Sequence, residues 1–361
     1  MLNKVLILIF TLILVGLAKF DSGRFSINLV QNNAIMFGML YVGIIFYLMQ
    51  ETLHSVLVLR MRKYIDALFR IRYFFIFYFV ITLYYAREYV AFYDISYFNE
   101  FTVGWFNNQF YMLRQFIYLF FVLGSLYYIK YKTKPEVSFN YLLLFLLSFI
   151  FIPFSYDLLA FVQDITIQHF WQSTIWSFYT FINLATFFIA VMMITNALDR
   201  DKDITVYTPR LATFLFGFNI LWSYLFFSQF IIIWYANIPS EAILYNIRFS
   251  QPWLLYQGLV VILHLFVPFF FLFSKQSKVR TNNILIASYS TLMAVVLDMM
   301  CYFVPAFSKV GIQIYEYTFF LASFILFVVL YLNTLYRTRK SIDDIIEETL
   351  LEDTNQDQEE K

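Results

Sequence analysis

Long apolar runs alternate with short polar connections along most of the chain. Each run is about the 17–25 residues that a helix needs to cross the hydrocarbon layer of a bilayer. The ten runs cover approximately residues 3–20, 33–52, 71–89, 108–129, 139–159, 173–197, 209–235, 252–274, 284–305 and 315–337. This pattern predicts an all-α polytopic membrane protein of about ten transmembrane helices. Residues 1–340 would form the transmembrane domain, and residues 341–361 an acidic cytoplasmic tail.

The two ends of the chain allow more than one interpretation. Lys4 precedes an apolar run that ends in Gly16-Leu17-Ala18, a pattern shared with signal peptides. We favour a retained helix over residues 3–20. The tail contains the segment IDDIIEETLLEDT, which is typical of a short amphipathic helix. It would either be solvated or dock on a neighbouring subunit.

Basic residues lie mostly on one side of the predicted membrane. The connections on that side, at 53–70, 130–138, 198–208 and 275–283, and the segment after 337 are rich in lysine and arginine. The opposite side has six of the 25 basic residues: Lys19, Arg24, Arg87, Arg114, Arg248 and Lys309. By the positive-inside rule, both termini are predicted to be cytoplasmic.

Composition agrees with a membrane protein and excludes several functions. Of the 361 residues, 61% are hydrophobic and 14% are charged, against about a quarter charged in soluble domains. A net charge of +1 gives no indication of nucleic-acid binding. The single cysteine, Cys301, excludes an internal disulfide framework and a four-cysteine iron–sulfur cluster held by this chain alone. Walker and GxGxxG motifs are absent from the sequence.

Metal and haem sites are also disfavoured by the positions of the histidines. His54, His169 and His264 are expected at the cytoplasmic side, the outer side and the midplane. A haem held by two histidines needs both at compatible depths. We therefore expect the chain to hold neither a metal nor a redox centre of its own.

Several polar residues fall at membrane depth when a rise of about 1.5 Å per residue is assumed. Those near the midplane are Asn183, Asn219 and His264, and those in the outer third are Glu88, Arg114, Asp157, Gln229 and Asp298. Ionisable side chains inside a bilayer are costly and need partners. Arg87 or Arg114 is therefore expected to pair with Glu88 or Asp157.

These polar residues also have purely structural interpretations. Arg87, Glu88 and Arg114 could extend to the outer interface, and Asp157 could cap a helix end. Asn183 and Asn219 could form interhelical hydrogen bonds. His264 could be an ordinary core histidine. Asp298, inside the apolar run AVVLDMMCYFV, is the hardest to explain without a proton or ligand role.

The segment Trp222–Pro239, reading WSYLFFSQFIIIWYANIP, is apolar enough for a membrane but rich in polar and aromatic groups. One helical face carries Asn219, Trp222 and Gln229. A neighbouring face carries Tyr224, Ser228 and Tyr235. Because buried polar groups need hydrogen-bond partners, we expect both faces to be covered, with this helix inside the bundle.

This segment and three further patches resemble a known family. The patches are SYDLLAF followed by HFWQSTIWSFYTF at 155–180, HLFVPFFFLFSKQSKVR at 264–280 and LDMMCYFVP at 297–305. Together they resemble the second quinone-related membrane subunit of alternative complex III, the bacterial quinol:cytochrome c oxidoreductase, which is related to the polysulfide-reductase/NrfD-type membrane subunits. The resemblance covers about residues 30–340. The chain departs from the family at Ser240, at His54 and in the basic stretch 60–63.

The resemblance implies a subunit of the bacterial inner membrane with two four-helix bundles, about 33–159 and 173–305. The helices 3–20 and 315–337 would flank these bundles. The implied partners are a sister quinol-binding subunit, an iron–sulfur and molybdopterin-like subunit, and multihaem and monohaem cytochromes c. Haem and iron–sulfur clusters would lie in those partners. This subunit would move protons or hold a second menaquinol site.

Two sets of residues follow as hypotheses for the site. A proton relay would run through Asn183, Asn219 and His264 to Asp298 or Asp157, with Tyr224, Ser228 and Gln229 as hydrogen-bonding links. A quinone pocket would use Trp222, Trp234 and Tyr235. The alternatives are a purely structural membrane anchor, a secondary transporter and a membrane acyltransferase. Pro268 gives no paired helix break of the transporter kind, and His264 is too deep for an acyltransferase.

Overall fold

The computed structural model describes residues 22–55, 57–90, 108–132, 137–159, 173, 175–198 and 204–307, together with residues 331 and 334. The regular elements in these ranges are all helical. In chain order they are α1 Ser22–Thr52, α2 Leu57–Arg70, α3 Arg72–Val90, α4 Asn108–Tyr131, α5 Val137–Leu159, α6 Trp176–Leu198, α7 Ile204–Ala236, α8 Pro239–Arg248, α9 Trp253–Val261, a π-helical turn Ile262–Phe266, α10 Val267–Leu272, a 3₁₀ turn Ser277–Val279 and α11 Thr281–Phe307.

Seven spans within the described ranges are long and apolar enough to cross a membrane. They are Leu29–Thr52, Gln109–Tyr131, Ser138–Leu158, Trp176–Ala197, Thr208–Ala236, Trp253–Leu272 and Thr281–Phe303. An eighth would be formed by α2 and α3 together, which are bent by 59° at their junction. The predicted all-helical, multi-pass membrane architecture is therefore confirmed. The predicted helix 3–20, most of the predicted helix 315–337 and the tail 341–361 lie outside the described residues.

Two segments that were predicted to be connections contain helices. Within 53–70, α2 buries Leu57, Met61, Ile65 and Leu68 along one face, while basic residues occupy other positions of the helix. Apolar residues at intervals of three and four form a continuous stripe on a helix, so a short amphipathic helix can carry many charges. The connection that follows α7 contains α8, which has a proline at its first position, where no backbone N–H is needed.

The helices α1 and α6 form the centre of the molecule. α1 packs against α3, α4 and α5, while α6 packs against α7 and α11, and α1 and α6 also contact each other. Two glycines of α1 lie at the contact with α6. A Cβ atom at Gly38 would lie 2.6 Å from Leu184, and one at Gly43 would lie 2.8 Å from Phe188. Small residues let membrane helices approach closely, so these glycines set the spacing of the two central helices.

Replacement of Gly43 by alanine should therefore destabilise the protein. The new methyl group would meet the ring of Phe188, and overpacking of this kind costs about 1–3 kcal/mol. Gly124→Ala is the matched control, because no heavy atom lies within 4 Å of a Cβ at that position. We expect a lower thermal unfolding midpoint in detergent for Gly43→Ala alone. Equal midpoints in the two variants would show that the α1–α6 contact is not tight.

Candidate functional site

A buried ion pair lies at the centre of the second half of the chain. The Arg248 Nη2 atom, at the end of α8, lies 3.5 Å from Oδ1 of Asp298 on α11, and both side chains are 0% exposed. A single charge at this depth would be very costly, because neither water nor counter-ions reach it. Each side chain therefore serves as the counter-ion that allows the other to be buried.

The other oxygen of Asp298 accepts hydrogen bonds from two side chains of α6. The Tyr179 hydroxyl makes a short hydrogen bond to Oδ2 of Asp298. The Asn183 Nδ2 atom donates to the same oxygen at 2.7 Å. Tyr179 and Asn183 are four residues apart, so they lie on the same face of the helix. One turn of α6 thus supplies both neutral donors to the carboxylate.

Asn183 connects Asp298 to His264. Its Oδ1 atom lies 3.2 Å from Nε2 of His264. Because the Asn183 amide N–H group faces Asp298, its oxygen faces the histidine, and this assignment requires Nε2 of His264 to carry the proton. The His264 ring also stacks on Trp222, with ring centroids 3.9 Å apart and an interplanar angle of 1°.

The position of His264 follows from an irregular turn in its helix. His264 lies in the π-helical turn Ile262–Phe266, four residues before Pro268. Proline has no backbone N–H and cannot donate to the carbonyl four residues earlier, which here is that of His264. A widened turn relieves this conflict, and such turns are frequent at functional sites. His264 is fully buried as a result of this local packing.

Arg248 is oriented mainly by neutral groups. Its Nη2 atom donates to Oε1 of Gln257 at 2.7 Å. Its guanidinium carbon lies 3.5 Å from the ring centroid of Tyr302, which is a close cation–π contact. Its Nε and Nη1 atoms are buried, and neither has a hydrogen-bond partner among the described residues. The contact with Asp298, at 3.5 Å, is thus longer than the hydrogen bond to Gln257.

Gln229 joins three helices beside this ion pair. Its Oε1 atom accepts hydrogen bonds from the hydroxyls of Tyr245 at 2.7 Å and Tyr302 at 2.9 Å. Its Nε2 atom donates to Oγ of Ser173 at 2.9 Å. The amide therefore holds α8 and α11 against α7, and it fixes the Tyr302 ring under Arg248.

A second buried acid, Asp157 on α5, has a different environment. Arg114 of α4 donates from Nε to Oδ2 at 3.0 Å and from Nη2 to Oδ1 at 2.7 Å. Gln115 and the Tyr118 hydroxyl also donate to Oδ2, at 3.1 Å and 2.8 Å. Both oxygens of Asp157 are hydrogen-bonded, and the arginine engages them in the two-pronged geometry that suits a carboxylate. By contrast, Oδ1 of Asp298 accepts no hydrogen bond from the described residues, and its contact with Nη2 of Arg248 is 3.5 Å long.

A third polar cluster joins the end of α1 to the start of α5. Lys132 forms an ion pair with Glu51, whose Oε2 atom also accepts from Asn140 Nδ2 at 3.1 Å. Burial lowers the pKa of the Lys132 ammonium, and the Glu51 carboxylate opposes this shift. The Tyr128 hydroxyl donates to Oδ1 of Asn140 at 3.0 Å. This cluster fastens the helices together and makes no described contact with Asp298.

The structure brings together only part of the predicted relay. Asp298, Asn183 and His264 are linked directly, and Trp222 stacks on the histidine. Asn219 instead donates to the Leu215 carbonyl and accepts from Thr291, so it stands apart from this group.

The structure describes the predicted ion pair of Asp157 but not those predicted for Glu88. Arg114 is the partner of Asp157, which is one of the pairings expected from the sequence. The side chains of Arg87 and Glu88 lie outside the described residues, although the backbone of both belongs to α3.

The other predicted residues of α7 do not join the site. Tyr224, Trp234 and Tyr235 are 65%, 70% and 85% exposed, and Ser228 is half-buried. In the described part of the chain these four residues make no contact with Asp298, and Trp234 and Tyr235 do not pack on Trp222, so their predicted roles in a relay and a pocket stay predictions that this geometry does not support. The prediction that both faces of this helix are covered fails in this structure. A tyrosine or tryptophan combines an apolar ring with one polar atom and tolerates a membrane boundary, so it needs no interior partner.

Sequence reasoning missed several residues that complete the two acid sites. Arg248 appeared only as a basic residue of an outer connection, and Tyr179, Gln257, Gln115 and Tyr118 were not considered. The spacing of Tyr179 and Asn183 was visible in the sequence and could have been used. Nothing in the sequence indicated that Arg248 reaches into the bundle, because that contact depends on the path of α8.

A groove between α5 and α6 has the character of a site for an apolar chain. Its volume is about 470 Å³, and it is lined mainly by aromatic and aliphatic side chains. The lining residues are Phe145, Ser148, Phe149, Phe151, Ile152, Tyr156, Ser177, Phe178 and Phe181. Tyr156 donates to the Ser173 carbonyl at 2.9 Å, so the groove adjoins the residue that also receives Gln229.

Comparison with known proteins does not identify the chain. No protein-family model matches the sequence, and no curated protein matches it. The function must therefore be inferred from the residues and their geometry.

The Arg114–Asp157 pair allows a direct test of its structural role. Arg114→Gln should leave a buried carboxylate without its counter-ion and destabilise the protein by roughly 3–5 kcal/mol. Lys130→Gln is the control, since Lys130 and Asp66 are separated by 3.3 Å with side chains 33% and 20% exposed. Such accessible pairs contribute about 0–1 kcal/mol. Thermal unfolding in detergent measures both, and similar losses in the two variants would contradict the assignment.

Proposed function

We propose that the chain is an integral membrane subunit of a quinol oxidoreductase of the alternative complex III type, and that Asp298 exchanges protons within it. The observation on which this proposal rests is a buried carboxylate whose hydrogen bonding is incomplete. It lies among membrane-spanning helices and is linked through Asn183 to His264. Ionisable groups in such positions commonly belong to proton or substrate paths.

The contrast between the two acids favours Asp298 over Asp157. Protonation of Asp157 would disrupt a two-pronged arginine contact and two further hydrogen bonds, so its charge is strongly retained. Asp298 has one oxygen without a hydrogen bond and an arginine 3.5 Å away. Because the two neutral donors of Asp298 both contact Oδ2, a proton can be added to Oδ1 without the loss of either hydrogen bond. We therefore place Asp157 in a structural role.

The path to Asp298 includes His264 and Asn183, with Tyr179 as a second hydroxyl neighbour. The Asn219–Thr291 pair makes no direct hydrogen bond to these groups in the described part of the chain. Transfer between Asn219 and His264 would have to pass through water, which can join separated polar groups in a hydrogen-bonded chain. The relay proposed here is accordingly shorter than the one predicted from the sequence.

The groove between α5 and α6 supports an association with menaquinol. Its apolar lining and volume suit part of an isoprenoid chain, and Ser148, Tyr156 and Ser177 provide polar groups. It replaces the predicted combination of Trp222, Trp234 and Tyr235 as the candidate quinone-binding region. Haem and iron–sulfur clusters would belong to partner subunits, in line with the family that the sequence resembles. Both termini would then face the bacterial cytoplasm.

A purely structural role for the subunit is the second candidate. It is favoured by the Arg114–Asp157 and Glu51–Lys132 clusters, in which nearly every polar group is used for helix packing. In that case the polar groups would act as interhelical hydrogen bonds, and electron and proton transfer would occur in partner subunits.

The first test of the proposal is native purification of the tagged full-length protein from its own membranes. We expect it to bring down c-type cytochromes, visible by their haem absorbance, together with a large iron–sulfur subunit identified by mass spectrometry. Recovery of the protein as an assembly without cytochrome or iron–sulfur partners would overturn the assignment to this kind of complex.

The second test measures protons moved per electron by the purified complex in liposomes. Asp298→Asn should lower this ratio while the assembled complex still oxidises quinol, because the amide cannot bind and release a proton. Tyr224→Phe is the matched control, since this exposed residue lies outside the site. An unchanged ratio in Asp298→Asn would rule out the relay and favour the structural role.

A further inference from the structure

The charge of Arg248 depends on a single acid in the described residues. Its guanidinium remains protonated in proteins. Its described neighbours other than Asp298 are neutral at ordinary pH: Gln257, Tyr245 and Tyr302. Both members of the Arg248–Asp298 pair are 0% exposed, so solvent cannot replace either charge. The protonation state of Asp298 therefore determines whether the buried charge of Arg248 is neutralised.

The remaining titratable groups around Asp298 do not change this balance. Tyr179 faces it from α6, Tyr302 and Cys301 lie on its own helix, and His264 is linked to it through Asn183. The tyrosines and the cysteine are uncharged at neutral pH in their ordinary states. The Nε2-protonated tautomer of His264 is also neutral. A carboxylate at Asp298 and a guanidinium at Arg248 thus form a neutral pair.

Protonation of Asp298 would break that neutrality. An arginine left alone in a fully buried position carries the desolvation cost of an unpaired charge, which is several kcal/mol. Neither Gln257 nor the Tyr302 ring can supply a negative charge. Because no other acid of the described residues contacts Arg248, movement of the guanidinium toward a polar region would lower this cost when Asp298 takes up a proton.

The geometry of α8 is consistent with such a movement. Arg248 is the last residue of this ten-residue helix, which connects α7 to α9 and is too short to span a membrane. Its hydrogen bond to Gln257 is 2.7 Å long, whereas its contact with Asp298 is 3.5 Å. Two of its donor nitrogens have no hydrogen-bond partner in the part of the chain that the structure describes. The guanidinium therefore lies beside Asp298 but makes its shorter hydrogen bond to Gln257.

We propose that Arg248 is a positioning residue that keeps Asp298 ionised, and that α8 loosens when Asp298 becomes neutral. The effect of Arg248 on the ionisation of Asp298 can be measured on the isolated subunit and does not depend on the proposed function. The use of α8 as a gate for proton release rests on the proposed function. In that role, proton uptake by Asp298 would free Arg248, and return of Arg248 would favour transfer of the proton from Asp298 to water, which restores the carboxylate.

Infrared spectroscopy of the purified full-length protein at neutral pH tests the charge state. Arg248→Gln should produce a carboxylic-acid C=O band that the wild type lacks, because Asp298 will bind a proton when its counter-ion is removed. Arg248→Lys should restore the wild-type spectrum. The double variant Arg248→Gln, Asp298→Asn should lose the band, whereas Arg248→Gln, Asp157→Asn should retain it.

The result that would overturn the proposal is equally specific. It fails if Arg248→Gln folds, as judged by circular dichroism and gel filtration, but shows no new band that depends on Asp298. It also fails if the wild type already shows such a band. A merely structural role for Arg248 predicts altered stability without a new protonated acid. Neither outcome depends on quinol oxidation, so the proposed function can fail independently.

Hydrogen exchange measured by mass spectrometry tests the movement of α8, including in the case where Arg248→Gln does not fold. Asp298→Asn mimics the neutral acid and should speed backbone exchange in residues 239–248. Asp157→Asn is the matched control, because it neutralises an acid of the other ion pair and should leave this segment unchanged. Equal exchange of residues 239–248 in wild type and Asp298→Asn would exclude the gate.

Discussion

A buried charge among membrane-spanning helices must meet an opposite charge, and the second half of this protein is organised around that constraint. Asp298 lies on α11, far from water, and Arg248 reaches it from the end of α8. This contact requires α8 to fold back over the helices instead of remaining in the surrounding medium. Gln229 and Tyr302 hold the resulting arrangement together. Without the ion pair, the hydrogen bond between Tyr245 and Gln229 would still hold α8 against α7.

The two buried acids show that similar burial can serve different purposes. Asp157 is surrounded by four hydrogen bonds, and its arginine is engaged by two of them. Asp298 shares its arginine with Gln257 and the Tyr302 ring. A fully satisfied charge network mainly fixes helices in place, whereas protonation of Asp298 would break fewer hydrogen bonds than protonation of Asp157. The difference in hydrogen bonding, more than the burial, separates a structural acid from a functional candidate.

Local backbone chemistry also contributes to the site. Pro268 and the π-helical turn before it accompany the burial of His264, which then stacks on Trp222 and contacts Asn183. The close approach of α1 and α6 at Gly38 and Gly43 places α6 firmly in the centre. Because α6 carries Tyr179 and Asn183, tight packing of α6 on α1 supports the donors of Asp298. The site therefore depends on contacts well outside its own residues.

The sequence by itself determined the helical membrane architecture, since the length and apolarity of each run depend only on neighbouring residues. It also identified Asp298, His264, Asn183 and Arg114 as polar residues at depth, because their apolar surroundings are local. The tertiary structure decided which of them meet. Asn183 and Asp298 are 115 positions apart, and a helical pattern contains no information on partners at that separation. The same limit explains why α2 was taken for a connection, why Tyr224 and Tyr235 were expected inside, and why Arg248 was overlooked. Hydrophobic periodicity records how much of a helix is apolar, but charge pairing and the choice of buried face arise only when the helices pack.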